Sequence, residues 1–540
     1  MASSPTSDSP SRPSIPITGP YVGAIDEGTT SARFIIFRAG TDDIVCYHQI
    51  EVPSIFAKEG WCEQDPVGIA NTVNECIAGA CQKLVAAGGK VEEIVTIGIT
   101  NQRESTVVWN RATGQPLANA IIWLDNRTTS TVEELLETIP NNARNINYLR
   151  PLCGLPLSPY FSGVKLRWLR DNVPVVSQAM DQGTAMFGTI DTWLMYCLTG
   201  GKDGGIHKTD VTNASRTMLM NIETLQWDTN LLKFFGLPST ILPEICSSAE
   251  FYGNIANGVL KGVSITADLG DQQAALVGQQ CLSKGQAKAT YGTGCFLLYN
   301  TGPSIVHSQH GLLTTVGYQL GRKAAPYYAL EGSVSIAGAA FNWLRDNMGI
   351  IQNSGQIETM ANLVDNSLDV YFVPAFNGLY APYWNQDARG VICGLSEETT
   401  SEHIVRATLE AVCFQVRDIL DSMHKDCKIP LAKLMVDGGM TVNNLFLQLQ
   451  SDLVGIHVLR AKIAETTALG AAMAAYKAVE SRYAMEAPLS KSGPREPIKP
   501  SINATERNLR YQKWKMAIER SLNWETSTLP HGEREAFDGA

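Results

Sequence analysis

Residues 21–37 of this 540-residue chain, YVGAIDEGTTSARFIIF, give the strongest indication of its fold class. The apolar start of this stretch (21–25) predicts a buried strand that ends at an Asp-Glu-Gly turn (26–28). ARFIIFRAG (32–40) and IVCYHQIEV (44–52) predict two further strands with turn residues between them. The chain therefore opens with a meander of three strands, and its first turn carries Gly, Thr and Thr.

A helix and another buried strand follow the meander. The pattern of residues 65–87 predicts a helix, and VEEIVTIGIT (91–100) predicts a strand. Strands followed by alternating helix and strand are typical of the α/β class. ATYGTGCFLLYN (289–300) is a second strand–turn–strand with Gly and Thr at its bend. It indicates two similarly built halves, with the junction between residues 255 and 285.

Two helices are predicted in the second half. Apolar residues recur every three or four positions over 399–423, and Thr399 with Glu402 fits a capping box at the start. Small residues over 470–479 predict a helix that can pack closely against a neighbour. Both are interpreted as structural.

Composition and charge exclude several classes of partner. The net charge of −10 repels nucleic acid and anionic membranes, so neither is an expected partner. The 12 cysteines include no C-x-x-C pair, which is typical of reduced, buried thiols in a cytosolic protein. We expect no integral membrane segment, because no apolar run reaches the ~18 residues that a membrane span needs.

The two ends of the chain differ from the middle. Residues 1–19 are rich in Ser and Pro and too poor in apolar side chains to order themselves, which predicts a disordered tail. This segment lacks the Arg-rich, acid-poor composition of a transit peptide, so the expected location is cytoplasmic. Residues 526–540 form a polar tail.

Several nucleotide-binding classes are excluded by missing motifs. The chain has no G-x-x-x-x-G-K-[ST] and no H-R-D or D-F-G set, so it is neither a P-loop NTPase nor a protein kinase. GTGCFL (292–297) lacks the third glycine of a dinucleotide fingerprint and is flanked by residues typical of strands.

The turn that ends the first strand has the chemistry of a phosphate site. Backbone N–H groups and the hydroxyls of Thr29 and Thr30 can hold phosphate oxygens. Asp26 can hold Mg²⁺ through water, and Arg33 can neutralise a transferring phosphoryl group. Taken alone, the same residue types also fit a hairpin turn with solvated side chains.

Two more loops of this kind follow strands in the second half. One is Tyr291–Gly294. The other runs from Asp437 to Asn443, between an apolar strand and a helix, where glycine permits a close approach to a ligand. Three Gly/Thr/Asp loops, each after a strand, are best explained together by a nucleotide clamped between two halves.

Two polar segments can bind and deprotonate a polyol. Arg103 and Glu104 follow a buried strand and can donate to and accept from neighbouring hydroxyls; a surface turn with a weak salt bridge is the alternative. Asp271 with Gln272 can supply a general base and a substrate-binding amide. The alternative for Asp271 is a helix N-cap.

Taken together, the motifs resemble the FGGY family of carbohydrate kinases over about residues 21–524. The resemblance rests on IDEGTTSARF, GITNQRES, SPYFSGVKLRWL, TNASRTMLMNI, GDQQAAL, TYGTGCF, ALEGSVSIAGAA and VDGGMTVNN. It implies an actin/hexokinase-like (ribonuclease H-like) fold of two α/β domains, each with a five-stranded mixed sheet, around a deep catalytic cleft. Residues 20–272 would form an N-terminal domain for glycerol and phosphate, and residues 273–525 a C-terminal domain for the adenine nucleotide.

The resemblance also implies an activity: transfer of the γ-phosphate of ATP to glycerol, with Mg²⁺ as cofactor. Asp271 would be the catalytic base, and Asp26 with Asp271 would hold Mg²⁺ through water. The glycerol contacts it implies are Arg103, Glu104, Trp123, Tyr160, Asp271, Gln272 and Phe296. The nucleotide contacts it implies are Thr29, Thr30, Arg33, Thr293, Gly338, Gly439 and Asn443. The assembly it implies is a homodimer or homotetramer.

Three positions depart from the family pattern. Glu27 stands where Gln is usual, and we expect its side chain to point away from the phosphates. Asn342 replaces a Gln found near the adenine. The loop NGVLKGVSITADLG (257–270) lacks the Arg with which some bacterial relatives bind fructose 1,6-bisphosphate, which predicts that this control is absent.

Two alternatives compete with this function. A kinase of another small polyol or ketose would keep the ATP site and differ in the pocket, although Arg103 and Glu104 after Asn-Gln favour glycerol. A nucleotide-switched binding protein would need neither a base nor a polyol clamp.

Overall fold

A computed structural model describes residues 18–376, 378–385, 387–480 and 497–524. All but the last two residues of the tail predicted for 1–19, and the whole polar tail predicted for 526–540, lie outside the described residues. None of the described helices is long and apolar enough to cross a membrane. All 12 cysteines are free; eight are buried, as predicted, whereas Cys46, Cys197, Cys393 and Cys427 are partly exposed.

The first half of the chain is built around one mixed sheet. The strands of this half, six of which form the main sheet, are β1 Tyr21–Glu27, β2 Ser31–Arg38, β3 Ile44–Glu51, β4 Glu63–Gln64, β5 Ile94–Asn101, β6 Val107–Asn110, β7 Ala120–Ile121, β8 Ala185–Gly188, β9 Lys208–Asp210, β10 Glu244–Cys246, β11 Ala249–Asn254 and β12 Ser264–Gly270. Its helices are α1 Pro66–Ala86, α2 Thr129–Glu137, α3 Arg150–Cys153, α4 Ser162–Asn172, α5 Pro174–Asp181, α6 Ile190–Leu198, α7 Val211–Ala214, α8 Thr229–Phe235 and α9 Asp271–Gly278. The strand order of the main sheet is β11-β12-β5-β1-β2-β3.

The second half repeats this plan. Its strands are β13 Ala287–Tyr291, β14 Cys295–Gly302, β15 Leu313–Tyr318, β16 Tyr327–Val334, β17 Tyr371–Val373, β18 Val391–Cys393, β19 Lys433–Asp437 and β20 His457–Arg460. Its helices are α10 Gly338–Asp346, α11 Gln356–Ala361, α12 Ser401–Cys427, α13 Asn444–Val454, α14 Thr466–Val479 and α15 Ala504–Ser521. The strand order of its main sheet is β15-β16-β14-β13-β19-β20.

The two main sheets share a five-stranded core. In each, a meander of three antiparallel strands (β1-β2-β3 or β13-β14-β16) continues through two parallel strands (β5 and β12, or β19 and β20). Among the described residues each sheet has six strands, because β11 extends one and β15 extends the other. The five-stranded sheets expected from the resemblance are therefore correct for the repeated core and wrong for the complete sheets.

The predicted long helix is displaced at both ends. It runs over Ser401–Cys427 and is capped reciprocally by Thr400 and His403. The capping box predicted at Thr399 and Glu402 is wrong by one residue. A ring nitrogen of His403 accepts from the N–H of the cap residue, where a Glu or Gln side chain is usual. The Thr-x-x-Glu pattern at 399–402 therefore indicated the wrong start of the helix.

Helix α14 connects the halves. It packs on the first sheet and against α9, where glycine lets the two backbones nearly touch. A Cβ atom on Gly470 would overlap the carbonyl of Ala274, and one on Gly278 would overlap the carbonyl of Thr466. Since α9 begins directly after β12, this close packing also anchors the start of α9, at Asp271.

Candidate active site

Three parallel strands of the first sheet end side by side. Glu27 at the end of β1 is opposite Asn101 of β5, which is in turn opposite Gly270 of β12. The segments that follow these strands are the Gly-Thr-Thr turn, the Gln-Arg-Glu segment and the start of α9. Such carboxyl ends are where ligands bind in open α/β sheets.

Asp271 presents one engaged and one open carboxylate oxygen. Its Oδ1 accepts from the backbone N–H of Gln272 at 2.7 Å and lies 3.1 Å from Arg103 Nε. Its Oδ2 makes no hydrogen bond with the described part of the chain, and the side chain is 28% exposed. Burial raises the pKa of Asp271, whereas Arg103 and Lys288 oppose the rise. The N-cap of α9 is Gly270, so the alternative of Asp271 as a helix cap is not observed.

A buried cluster of four charges lies beside Asp271. The Arg103 guanidinium donates to both oxygens of Glu331, at 2.5 and 3.0 Å, and Arg216 donates to Glu104 at 2.6 Å and to Glu331 at 3.1 Å. Burial alone would raise the pKa of Glu331, but the two arginines outweigh it and hold the pKa at about 2. Two positive and two negative charges balance, which makes their burial tolerable. The surface-turn alternative for Arg103 and Glu104 is therefore wrong.

The backbone at Glu104 is also unusual. Its φ of 62° lies in the left-handed region that few residues other than glycine adopt. Arg216 holds the side chain, and the Glu104 carbonyl accepts from Ser162 Oγ at 3.0 Å. Strained backbone of this kind concentrates at functional sites, where surrounding contacts enforce it.

Three aromatic side chains form an apolar wall next to this cluster. The Trp123 ring meets Tyr160 and Phe296 edge-on, with centroids 5.8 and 5.9 Å away. The Arg103 guanidinium lies 5.8 Å from the Phe296 ring centre. The wall joins the halves, because Phe296 lies on β14 and the other two residues precede α4. Such a surface suits the carbon chain of a small polyol.

The Gly-Thr-Thr turn is tied to this wall. The Trp123 indole N–H donates to Thr29 Oγ1 at 2.8 Å, while Thr30 is exposed. Arg33, on β2, donates to Glu465 of the segment before α14 and lies 3.8 Å from Asp26. The Arg33 cation and the threonine hydroxyls of this turn therefore lie on the side of the site that Trp123 borders.

The charged form of the Asp26 carboxylate is destabilised by its surroundings. Burial raises its pKa to about 6; Arg33 opposes this, and the nearby carboxylates Glu465 and Asp271 add to it. A divalent cation would relieve the repulsion among these acids. Glu27, by contrast, is fully buried and accepts from Gln102 Nε2 at 3.2 Å through both oxygens, so its side chain turns into the interior.

The nucleotide residues predicted in the second half form another group. Thr290 of β13 is opposite Asp437 of β19, so the loops that follow these strands are adjacent. The Thr293 carbonyl accepts from backbone N–H groups at the start of α10, and the Gly338 N–H donates to the Gly292 carbonyl at 3.1 Å. Asn443 directly follows a short helical turn at Gly439–Val442 and caps α13 by accepting from the Phe446 N–H at 2.8 Å.

Comparison with known proteins places this geometry in a family. The N-terminal domain of the FGGY family of carbohydrate kinases matches residues 21–278, and the C-terminal domain matches residues 287–479. The chain belongs to the FGGY family of carbohydrate kinases. The resemblance read from the sequence is confirmed, and so is the actin/hexokinase-like fold of two α/β halves with mixed sheets.

Similar FGGY proteins cover nearly all of the chain. It is 51% identical over 505 residues to glycerol kinase of Brucella anthropi, and the alignment covers 93% of this chain and 99% of that protein. It is 48% identical to a probable glycerol kinase of Dictyostelium discoideum, over 94% of this chain and 99% of that protein. The crystal structure of Plasmodium falciparum glycerol kinase with ADP superimposes with a TM-score of 0.84 at 37% identity, covering 94% and 99% of the two chains.

Four charged residues of this FGGY site were missed from the sequence: Arg216, Lys288, Glu331 and Glu465. Arg216, Lys288 and Glu331 lie in or next to stretches that carry the resemblance, whereas Glu465 lies five residues before the helix predicted over 470–479. The available signal was a lone charge within an apolar segment, as in YYALEGSV (327–334). A buried charge needs a partner, and the partners here are distant in sequence.

Proposed function

We propose that this FGGY kinase phosphorylates glycerol, converting ATP and glycerol to ADP and sn-glycerol 3-phosphate. One observation carries the proposal: the open oxygen of Asp271 stands beside a buried Arg/Glu cluster and an aromatic wall. Hydroxyl-binding charges, a surface for a short carbon chain and a base are the three parts that the acceptor side of a polyol kinase needs. The names of the similar proteins support the same acceptor.

On the acceptor side, each residue has a part in placing glycerol. Arg103, Glu104, Tyr160 and Gln272 would bind its hydroxyls, and Trp123 with Phe296 would cover its carbons. Asp271 Oδ2 would take the proton as the hydroxyl oxygen bonds to the γ-phosphorus and the bond to the leaving ADP oxygen breaks. A base must lie within hydrogen-bond reach of that proton, and Oδ2 has no competing partner among the described residues.

On the donor side, Thr29, Thr30 and Arg33 would hold the phosphates. The proposed contacts to the rest of the nucleotide are Thr293, Gly338, Gly439 and Asn443. The Trp123–Thr29 bond would keep the phosphates in line with the acceptor. Contacts between the halves around Phe296 and Glu331 would exclude water, which otherwise competes as acceptor.

Mg²⁺ fits the available donors. The described residues contain no group of three or more His, Cys, Asp or Glu side chains suited to a metal ion. Asp26 and Asp271 are two carboxylates close enough to repel each other, and Mg²⁺ takes its other ligands from water and phosphate oxygens. When bound, the ion would neutralise charge on the phosphates.

Three further proposals concern the whole protein. The functional division is between residues 20–272 and 273–525, the location is cytoplasmic, and the assembly is a homodimer or homotetramer. The matched family domains end and begin at 278 and 287, close to the first proposal. Light scattering of the purified chain tests the assembly.

The direct test of the function is ADP release by the purified protein with ATP, Mg²⁺ and one acceptor at a time. Glycerol is compared with water, dihydroxyacetone, erythritol, xylulose and ribulose. We expect the highest kcat/KM for glycerol. A higher value for a longer polyol or a ketose would favour the alternative FGGY kinase, and no stimulation by any acceptor would favour the nucleotide switch.

A further inference from the structure

Lys288 is a buried cation to which neither the resemblance nor the proposed mechanism gives a role. It lies on β13 in the second half and is completely buried. Its ammonium donates to Oε1 of Gln272, at the start of α9, and to Thr290 Oγ1 at 3.0 Å. Burial lowers the pKa of Lys288, whereas Asp437 and Asp271 favour its charged form. A buried ammonium is costly unless its hydrogen bonds are made, so both acceptors are held firmly.

The bond to Lys288 determines which way the Gln272 amide faces. An ammonium group has three donors and no acceptor, so the amide atom facing it must be the oxygen. The amide nitrogen then points to the opposite side of the planar group. Gln272 Nε2 makes no hydrogen bond with any described residue, although only 6% of the residue's surface is exposed. Gln272 therefore keeps a free amide donor, one residue after Asp271.

We propose that Lys288 is a positioning residue for the acceptor substrate: it locks Gln272 so that Nε2 donates to a hydroxyl oxygen of glycerol. The inference rests on the proposed function and adds the direction of one hydrogen bond. The Gln272 amide then donates to a lone pair on a glycerol hydroxyl oxygen, while the neighbouring Asp271 carboxylate accepts a hydroxyl proton. Because Lys288 lies on the second sheet and Gln272 follows the first, the lock also requires the two halves to be in this relative position.

Two substitutions test the lock from opposite sides. Lys288→Met removes the donor and keeps a long apolar chain in the buried space. Since one hydrogen bond contributes about 0.5–1.5 kcal/mol, the KM for glycerol should rise about 2- to 13-fold, with kcat and the KM for ATP nearly unchanged. Gln272→Glu keeps an oxygen for Lys288 but replaces the free donor with a second acceptor. It should raise the KM for glycerol at least as much, and its ion pair with Lys288 keeps the test available if Lys288→Met does not fold.

A double-mutant cycle separates positioning from general support. Lys288→Met is measured in the wild type and in Gln272→Ala, and the penalty should disappear in the second background because no amide remains to be oriented. Thr290→Val is the matched control: it removes the other acceptor of Lys288 and should leave the KM for glycerol unchanged. Thermal unfolding of each variant verifies that it is folded.

The outcomes distinguish this inference from the proposed function. If the wild type shows no glycerol-dependent ADP release, the proposed function fails. If the wild type is active, three results would each overturn the role of Lys288: an unchanged glycerol KM in Lys288→Met, an equal penalty in the Gln272→Ala background, or an unchanged glycerol KM in Gln272→Glu.

Discussion

Asp271→Asn replaces one carboxylate oxygen with an NH₂ group and keeps the size and shape of the side chain. The asparagine Oδ1 can still accept from the Gln272 N–H and from Arg103 Nε, which Asp271 now engages at 2.7 and 3.1 Å. The open Oδ2 becomes an NH₂ group without a lone pair for a proton. Arg103 keeps its bidentate pairing with Glu331, so the substitution does not leave a buried cation unpaired.

The magnitude follows from the loss of the base alone. A positioned general base contributes about 10²–10⁴ in rate. At about 1.36 kcal/mol per factor of ten, this is a rise of about 3–5 kcal/mol in the barrier. The loss should appear in kcat. The KM for glycerol should change little, and ATP binding should persist, because the Gly-Thr-Thr turn and Arg33 are untouched.

The assay is coupled ADP release for kcat and both KM values, with calorimetry for ATP binding. Asp203→Asn is a suitable control, because this carboxylate is 77% exposed and pairs with Lys202 at the surface. Near-normal turnover by purified Asp271→Asn would refute the assignment of the base. A loss of ATP binding together with turnover would instead indicate that Asp271 acts mainly through the phosphates.

Three further predictions concern the buried network, the contact between the halves and a buried histidine. Glu331→Gln should destabilise the fold by about 3 kcal/mol in urea unfolding, because it leaves two buried arginines short of negative charge; an unchanged midpoint would contradict this balance. Gly470→Ala should cost about 1–3 kcal/mol, since the added methyl group overlaps the Ala274 carbonyl, and wild-type stability would show that α14 can shift away. Burial lowers the pKa of His207 from 6.5 to about 4. The unfolded chain therefore binds a proton in this pH window that the folded chain does not, and the free energy of unfolding should fall by about 2–3 kcal/mol as the pH drops from 6.5 to 4. His207→Gln should remove that part of the pH dependence, and an equal slope in both proteins would exclude His207 as its source.

Much of the local structure could be predicted because its causes are local. The predicted helix over 65–87 is α1, Pro66–Ala86, and the predicted strand over 91–100 is β5, Ile94–Asn101. Buried apolar runs, turn residues and helical periodicity involve residues a few positions apart, so they can be read directly. The displaced start of α12 shows the limit, since Thr399 and Thr400 are equally good caps by composition and only packing distinguishes them.

The α/β class, the repeated strand–turn–strand openings and, through the motifs, the family follow from the order of residues along the chain. The sequence also supplied the residue types of the proposed site, because phosphate and polyol binding need particular side chains after particular strands. The partners of these side chains depend on the folded arrangement of the two halves. Arg103 pairs with Glu331, which is 228 positions away, and Arg33 with Glu465, which is 432 positions away. Such pairs depend on how two sheets and the α9–α14 contact set the relative position of the halves, and no local pattern of residues encodes that position.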